Sequence, residues 1–374
     1  MKKKIVSALL CVAMIATMAT GCGGSKSSST SGNADSTAKQ FEINAAIAAN
    51  PPALDPHTVN ANVTGAIGIH IYEALFQMDE NYEPQPVLAE SYEISDDGKE
   101  YTIKLRQGVK FHNGDEMKAD DVVASMNRWV ELSPKAKTLI GGSVFEKVDD
   151  YTVKLTVNEP SSDIIMVLAS PIQFAAIYPK SVVDSASDEG VKEYIGTGPY
   201  KVAEWKQDQY VKLEKFDDYQ PAEGKSSGLA GAKNAQADTI TFNIVTDTAT
   251  RIAGVQNGQY DIAEDIPADQ YKDLAADKNL TMDVRSGGTL NLFLNTTEGV
   301  MADEKVRQAA LAALNCDDIL MASYGDADLY KLNAGWCNPD DAQWGTEAGS
   351  EYYNQNDVEK AKKLLSESSY NNEK

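Results

Sequence analysis

Histidine, cysteine and tryptophan are scarce in this chain, with three, four and four among 374 residues. His57, His70 and His112 share no metal-ligand spacing, and a zinc site needs three or four converging ligands, so no metal centre is expected. Beyond Cys22 only Cys316 and Cys337 remain; a bridge between them is chemically permitted outside the cell, but two cysteines make no disulfide framework. Basic residues are also in deficit, 34 against 56 acidic ones, for a net charge of −22. Such an acidic body argues against nucleic acid or anionic lipid as a partner and for solubility. No apolar run after Ala19 is long enough to span a membrane. The G-x-S-x-G, G-x-x-x-x-G-K-[ST] and H-E-x-x-H motifs are all missing. Adjacent carboxylates such as Asp96-Asp97, Asp120-Asp121 and Asp217-Asp218 read as turns and caps, because an acid–base pair needs facing groups with separated pKa values. Trp129, Trp205, Trp336 and Trp344 are expected in packing rather than in a pocket wall. No catalytic residue, metal or cofactor is expected.

What is present begins with an address. Lys2, Lys3 and Lys4 precede 15 uncharged residues, Ile5 to Ala19, and the small residues Ala19, Thr20 and Gly21 lead into Cys22. A basic start, a short apolar core and a small-residue end read as an export signal over 1–21. The junction resembles the lipobox of bacterial lipoproteins, with Ala19 where leucine is usual. That resemblance implies a diacylglyceryl group on Cys22 and an anchor in the cell membrane, facing the exterior or the periplasm. Residues 22–40 are rich in Gly, Ser, Thr and Asn and have too little to bury, so they are expected as a disordered tether. Removing three lysines with the signal leaves a mature charge of −25.

The body alternates strand and helix signals. FEINAAIAANPPALDPHT opens with a strand ended by Pro51-Pro52, and a helix is expected over Val63 to Phe76, carrying Ile67, Ile71, Ala74 and Leu75. SYEIS and EYTIKLR form a hairpin around Asp96-Asp97-Gly98-Lys99. A turn at Asn113-Gly114 precedes the helix DVVASMNRWV, capped by Asp120 or its neighbour, and FEKVDD and YTVKLTV make a further pair. ADTITFNIV and TLNLFLN read as strands. DEKVRQAALAALN reads as a helix burying Val306, Ala310, Leu311 and Leu314, and NDVEKAKKLLSES as the last helix.

Six stretches in order resemble the family 5 extracellular solute-binding proteins, the peptide- and nickel-type receptors of ABC importers. They are LDPHT (Leu54 to Thr58), Pro86 to Trp129, GTGPYKVAEW (Gly196 to Trp205), VQNGQYDIAEDIP (Val255 to Pro267), Asn295 to Asn315, and NDVEKAKKLL (Asn356 to Leu365). The resemblance implies an α/β fold of two lobes that close on a ligand, of the periplasmic-binding-protein kind (type II, cluster C-like). An extra N-terminal α+β subdomain is implied as well. Lobe I would comprise 41–60 and 166–287, the extra subdomain 61–165, and the start of lobe III 288–374. Family members continue past the NDVEKAKKLL helix, so the second lobe is expected to be incomplete here and the chain to be a piece of a longer protein.

The implied function is a monomeric, lipid-anchored receptor that captures oligo- or dipeptides and delivers them to an ABC permease with its ATPase subunits. The same scaffold would also suit a nickel or other metal chelate, glutathione, haem or an oligosaccharide. A signalling lipoprotein or secreted enzyme is the more distant alternative. The resemblance places ligand contacts on Asn50, Pro51, Pro52 and Ala53 and on Gly288, Thr289 and Asn291. Lys137, expected in a loop, and Gln173 are further candidates, the lysine as a point charge for a ligand carboxylate.

Overall fold

The computed structural model describes residues 40–187, 190–285, 288–337 and 345–370. The export signal, Cys22, all of the tether but Gln40, Gly287 and Trp344 lie outside the described residues. In chain order the regular elements are β1 (Glu42–Ile47), α1 (Asn62–Ile71), β2 (Phe76–Met78), β3 (Pro84–Pro86), β4 (Ala89–Ile94) and β5 (Glu100–Leu105). Then come α2 (Ala119–Leu132), α3 (Pro134–Ile140), β6 (Val144–Asp149), β7 (Thr152–Thr156), α4 (Ile164–Leu168) and α5 (Lys180–Asp184). The second half holds β8 (Tyr200–Lys206), β9 (Tyr210–Lys215), β10 (Thr239–Ile244), α6 (Thr248–Gln256) and β11 (Ile262–Ala263). Four helices follow: α7 (Tyr271–Ala275), α8 (Glu304–Ala313), α9 (Cys316–Tyr324) and α10 (Val358–Ser366).

Two sheets organise these elements. The first is mixed, in the order β11-β1-β10-β9-β8, with β1 parallel to both β10 and β11. The second, β4-β5-β7-β6, is antiparallel throughout. Its first hairpin turns at Asp96 to Lys99 with Gly98 at φ 71°, a conformation that favours glycine. Alternation along β5 and β7 sends Tyr101, Ile103, Leu105, Val153 and Leu155 inward, where they meet Val122, Met126 and Trp129 of α2. Asp121 starts that helix by accepting the Lys118 N–H at 2.9 Å, while its other oxygen accepts the Lys180 N–H at 2.7 Å. A second core gathers Ile47, Leu54, Ile67, Tyr72, Tyr178, Val211 and Leu213 against the mixed sheet.

Three expectations need correction. The helix expected to run to Phe76 ends at Ile71, and the chain turns into β2, which pairs with β3. TLNLFLN forms no strand among the described residues; Leu290, Leu292 and Phe293 are 68%, 71% and 78% exposed. An alternating pattern makes a strand only where another strand takes up its backbone groups. On α8 the buried residues are Val306, as expected, and Ala309 and Ala312, which face Ala361 of α10, whereas Leu311 is exposed. Small residues let these two helices approach closely.

Candidate functional site

The parallel strands β1, β10 and β11 end side by side at Ile47, Ile244 and Ala263, and the carboxyl rim of such a sheet is where ligands bind in open α/β folds. The segment Asn50 to Ala53 leaves β1 across this rim. Asn50 Nδ2 donates to Asp208 Oδ1 at 2.8 Å in the β8–β9 turn, whereas Asn50 Oδ1 is sealed from solvent with no partner among the described residues. Ala53 offers its carbonyl to Thr64 Oγ1 at 2.6 Å; Pro51 is buried and Pro52 exposed.

Arg251, in the middle of α6, fixes the rest of the rim. Its Nε donates to Glu264 O at 3.1 Å, Nη1 to Val245 O at 2.8 Å and Thr246 O at 3.0 Å, and Nη2 to Thr248 Oγ1 at 3.2 Å and Asp265 O at 2.9 Å. The partners are four strand-end carbonyls and a hydroxyl, which place a buried cation under the rim without a carboxylate. Glu264 in turn accepts the Ala48 N–H at 3.2 Å.

The LDPHT stretch is a buried joint. Asp55 Oδ2 pairs with Arg128 Nη2 of α2 at 2.6 Å and accepts the Val191 N–H at 3.1 Å. Asp55 Oδ1 accepts from Tyr178 Oη at 2.9 Å, from Arg128 Nη1 at 3.3 Å and from the His57 N–H at 3.1 Å. Burial alone would raise the Asp55 carboxyl, but Arg128, His57 and Tyr178 together hold it below its ordinary value. His57 Nδ1 accepts from Arg128 Nη1 at 3.1 Å, so its Nε2 carries the hydrogen and donates to Ala176 O at 2.9 Å. GTGPY is a second joint. A Cβ on Gly196 would lie 2.2 Å from the Ile71 carbonyl oxygen, and one on Gly198 would lie 2.6 Å from that of His70. His112 clips the same stretch, donating from Nε2 to Gly198 O at 3.0 Å and accepting the Gly196 N–H on Nδ1 at 3.2 Å. These groups hold the scaffold together.

The other candidates are scattered. Lys137 stands exposed on α3 rather than in a loop. Gln173 is buried, and its Oε1 accepts from Ser133 Oγ at 3.2 Å and the Lys135 N–H at 3.4 Å. Gly288, Thr289 and Asn291 are exposed in a stretch without regular structure, where Asn291 Nδ2 donates to Thr289 Oγ1 at 2.8 Å. Only Asn50 to Ala53 lies on the rim. A cleft of about 690 Å³ between β3 and the 221–231 loop contains none of the candidates. Another of about 250 Å³, beside the start of α1, includes Gln173. Cys316 and Cys337 are free thiols. Sequence reasoning missed Arg128 and Arg251; the available signal was a lone arginine inside each of the helices SMNRWV and TATRIAGVQ.

The model of the bacterial extracellular solute-binding proteins, family 5 middle region, matches residues 83–374. The chain belongs to this family. Among curated relatives, the glutathione-binding protein GsiB of Salmonella typhimurium is 33% identical over 340 residues, covering 88% of this chain and 62% of the relative. The chain therefore spans about 62% of the length of the curated relatives it matches. Among solved structures, the ABC transporter substrate-binding protein CtaP of Listeria monocytogenes superposes with a TM-score of 0.72 at 27% identity, covering 89% of this chain and 66% of CtaP. The oligopeptide-binding protein AppA of Bacillus subtilis, solved with a nonapeptide, superposes at 0.67 and 26% identity, covering 88% and 64%. The mixed α/β architecture is that of the two-lobed periplasmic binding proteins.

Proposed function

We propose that this chain is the capture component of an ABC importer that takes up small peptides. Family membership supports this, together with one structural observation: the segment Asn50 to Ala53 crosses the carboxyl rim of three parallel strands, stiffened from below by Arg251. In this reading 41–60 and 166–287 form lobe I, 61–165 the extra subdomain, and 288–374 the start of lobe III. Closure buries the solute against Asn50 to Ala53 on one side and Gly288, Thr289 and Asn291 on the other. Backbone groups suit peptides because they grip any sequence. Cys22 carries the lipid that keeps the receptor beside its permease.

Glutathione is the second reading, favoured by the relation to GsiB. It is itself a tripeptide, so one geometry serves both. Differential scanning fluorimetry against di- to pentapeptides, glutathione, metal chelates, haem and oligosaccharides tests the proposal. A peptide or glutathione is expected to raise the melting temperature, and a rise from another solute alone would overturn it.

A further inference from the structure

The cleft of about 250 Å³ lies between the start of α1 and the loop 170–173, with Val59, Ile69, Pro171 and Leu229 among its apolar walls. Hydrogen-bond donors without acceptors edge it. Helix α1 begins uncapped: Ala61 has no side-chain oxygen to offer, the first turn has no acidic residue, and the N–H groups of Asn62, Val63 and Thr64 find no acceptor among the described residues. Asn62 lines the cleft itself. Gln173, only 8% exposed, lines it too. Because Gln173 Oε1 is taken by Ser133 and the Lys135 N–H, its Nε2 is turned from them, and it has no acceptor among the described residues. Gln173 also holds a φ of 49°, a strained conformation for a side-chain-bearing residue and one that clusters at ligand clamps. Behind the loop, the Lys135 ammonium donates to Ser170 Oγ and has no carboxylate partner among the described residues. Burial pushes its pKa down, as expected of a cation with no counter-charge.

We propose that this cleft receives a carboxylate borne beside an apolar side chain, such as the terminal residue of a peptide. The carboxylate would accept from the first N–H groups of α1 and from Gln173 Nε2, with the Lys135 charge behind it, while the side chain rests on Val59 and Ile69. The inference names one end of the solute and to that extent rests on the peptide reading.

The probes are 4-methylpentanoate and its uncharged counterpart 4-methylpentanamide. They are titrated into the full chain, selectively ¹⁵N-labelled, with the amides of Asn62, Val63, Thr64 and the Gln173 side chain followed by NMR. Saturable shifts at these amides are expected with the acid at a concentration at least about tenfold lower than with the amide, a factor worth about 1.4 kcal/mol. Gln173→Leu and Lys135→Gln should each narrow that ratio. Equal responses to acid and amide, or no shift at these positions, would overturn the inference, and the wild-type comparison decides even if a variant folds poorly. Calorimetry with peptides and glutathione separates the two claims. Peptide binding without acid selectivity sinks the cleft alone; acid selectivity without peptide binding sinks the peptide reading alone.

Discussion

Acidification should destabilise this protein in a window set by its three histidines. His57 has no lone pair free for a proton, since Nδ1 accepts from Arg128 and Nε2 donates to Ala176 O. Burial, opposed by Asp55, brings its pKa down to about 4. His112 is likewise committed on both nitrogens to Gly196 and Gly198, and burial brings it to about 4. His70 packs between Tyr200 and Phe242, where burial and then the Lys233 charge bring it to about 4. In the unfolded chain each imidazole titrates at its ordinary value of about 6.5. The folded pKa values are depressed, so this stability is fully present above pH 6.5 and is lost as pH falls towards 4. Within that window the unfolded state binds up to three more protons, giving a steepest slope of about 4 kcal/mol per pH unit. With total stabilities usually about 5–15 kcal/mol, such a slope would unfold the protein well above the carboxylate range. Urea unfolding between pH 7 and 4.5 measures the slope, and ring-proton NMR assigns it. Replacing one histidine by Gln should remove about a third of the slope. A histidine titrating near 6.5 in the folded protein, or flat stability across the window, would refute the reasoning.

Arg128→Met strands the Asp55 carboxylate with only neutral donors and should cost about 3–5 kcal/mol in urea unfolding, part of it recovered by adding Asp55→Asn. Gly196→Ala forces a methyl against the Ile71 carbonyl and should cost about 3 kcal/mol or abolish folding, read as soluble yield and melting temperature. Cys316 and Cys337 should both alkylate without reductant, as peptide mass mapping would record; a peptide linking them would contradict the structure.

Local signals were the most legible part of the chain. Asp96 to Lys99 announced its hairpin through a glycine that occupies φ 71°, and EYTIKLR and YTVKLTV, read as strands, form β5 and β7. What resisted reading depends on contacts distant in sequence. The end of α1 is set by Gly196 and Gly198 resting on the His70 and Ile71 carbonyls, more than a hundred residues away. TLNLFLN carries a strand pattern, but its partner is not written in its own residues. Helix α9 was missed although Asn315 caps it and Gly325 stops it in the left-handed conformation. The rim was legible on one side only: Asn50 to Ala53 could be named from their neighbours in the LDPHT stretch, whereas Arg251 binds backbone carbonyls, which every residue has. Lys137, the lysine named from sequence, stands exposed, whereas Lys135, which the sequence did not single out, is half-buried beside Ser170.

A receptor of this kind holds a solute and releases it without chemical change. Isothermal titration with glutathione and a di- to pentapeptide series, followed by mass spectrometry of the recovered ligand, tests this most directly. Saturable one-to-one binding of at least one peptide, recovered at its original mass, is predicted. No heat from any of them, or a ligand recovered with altered mass, would contradict it.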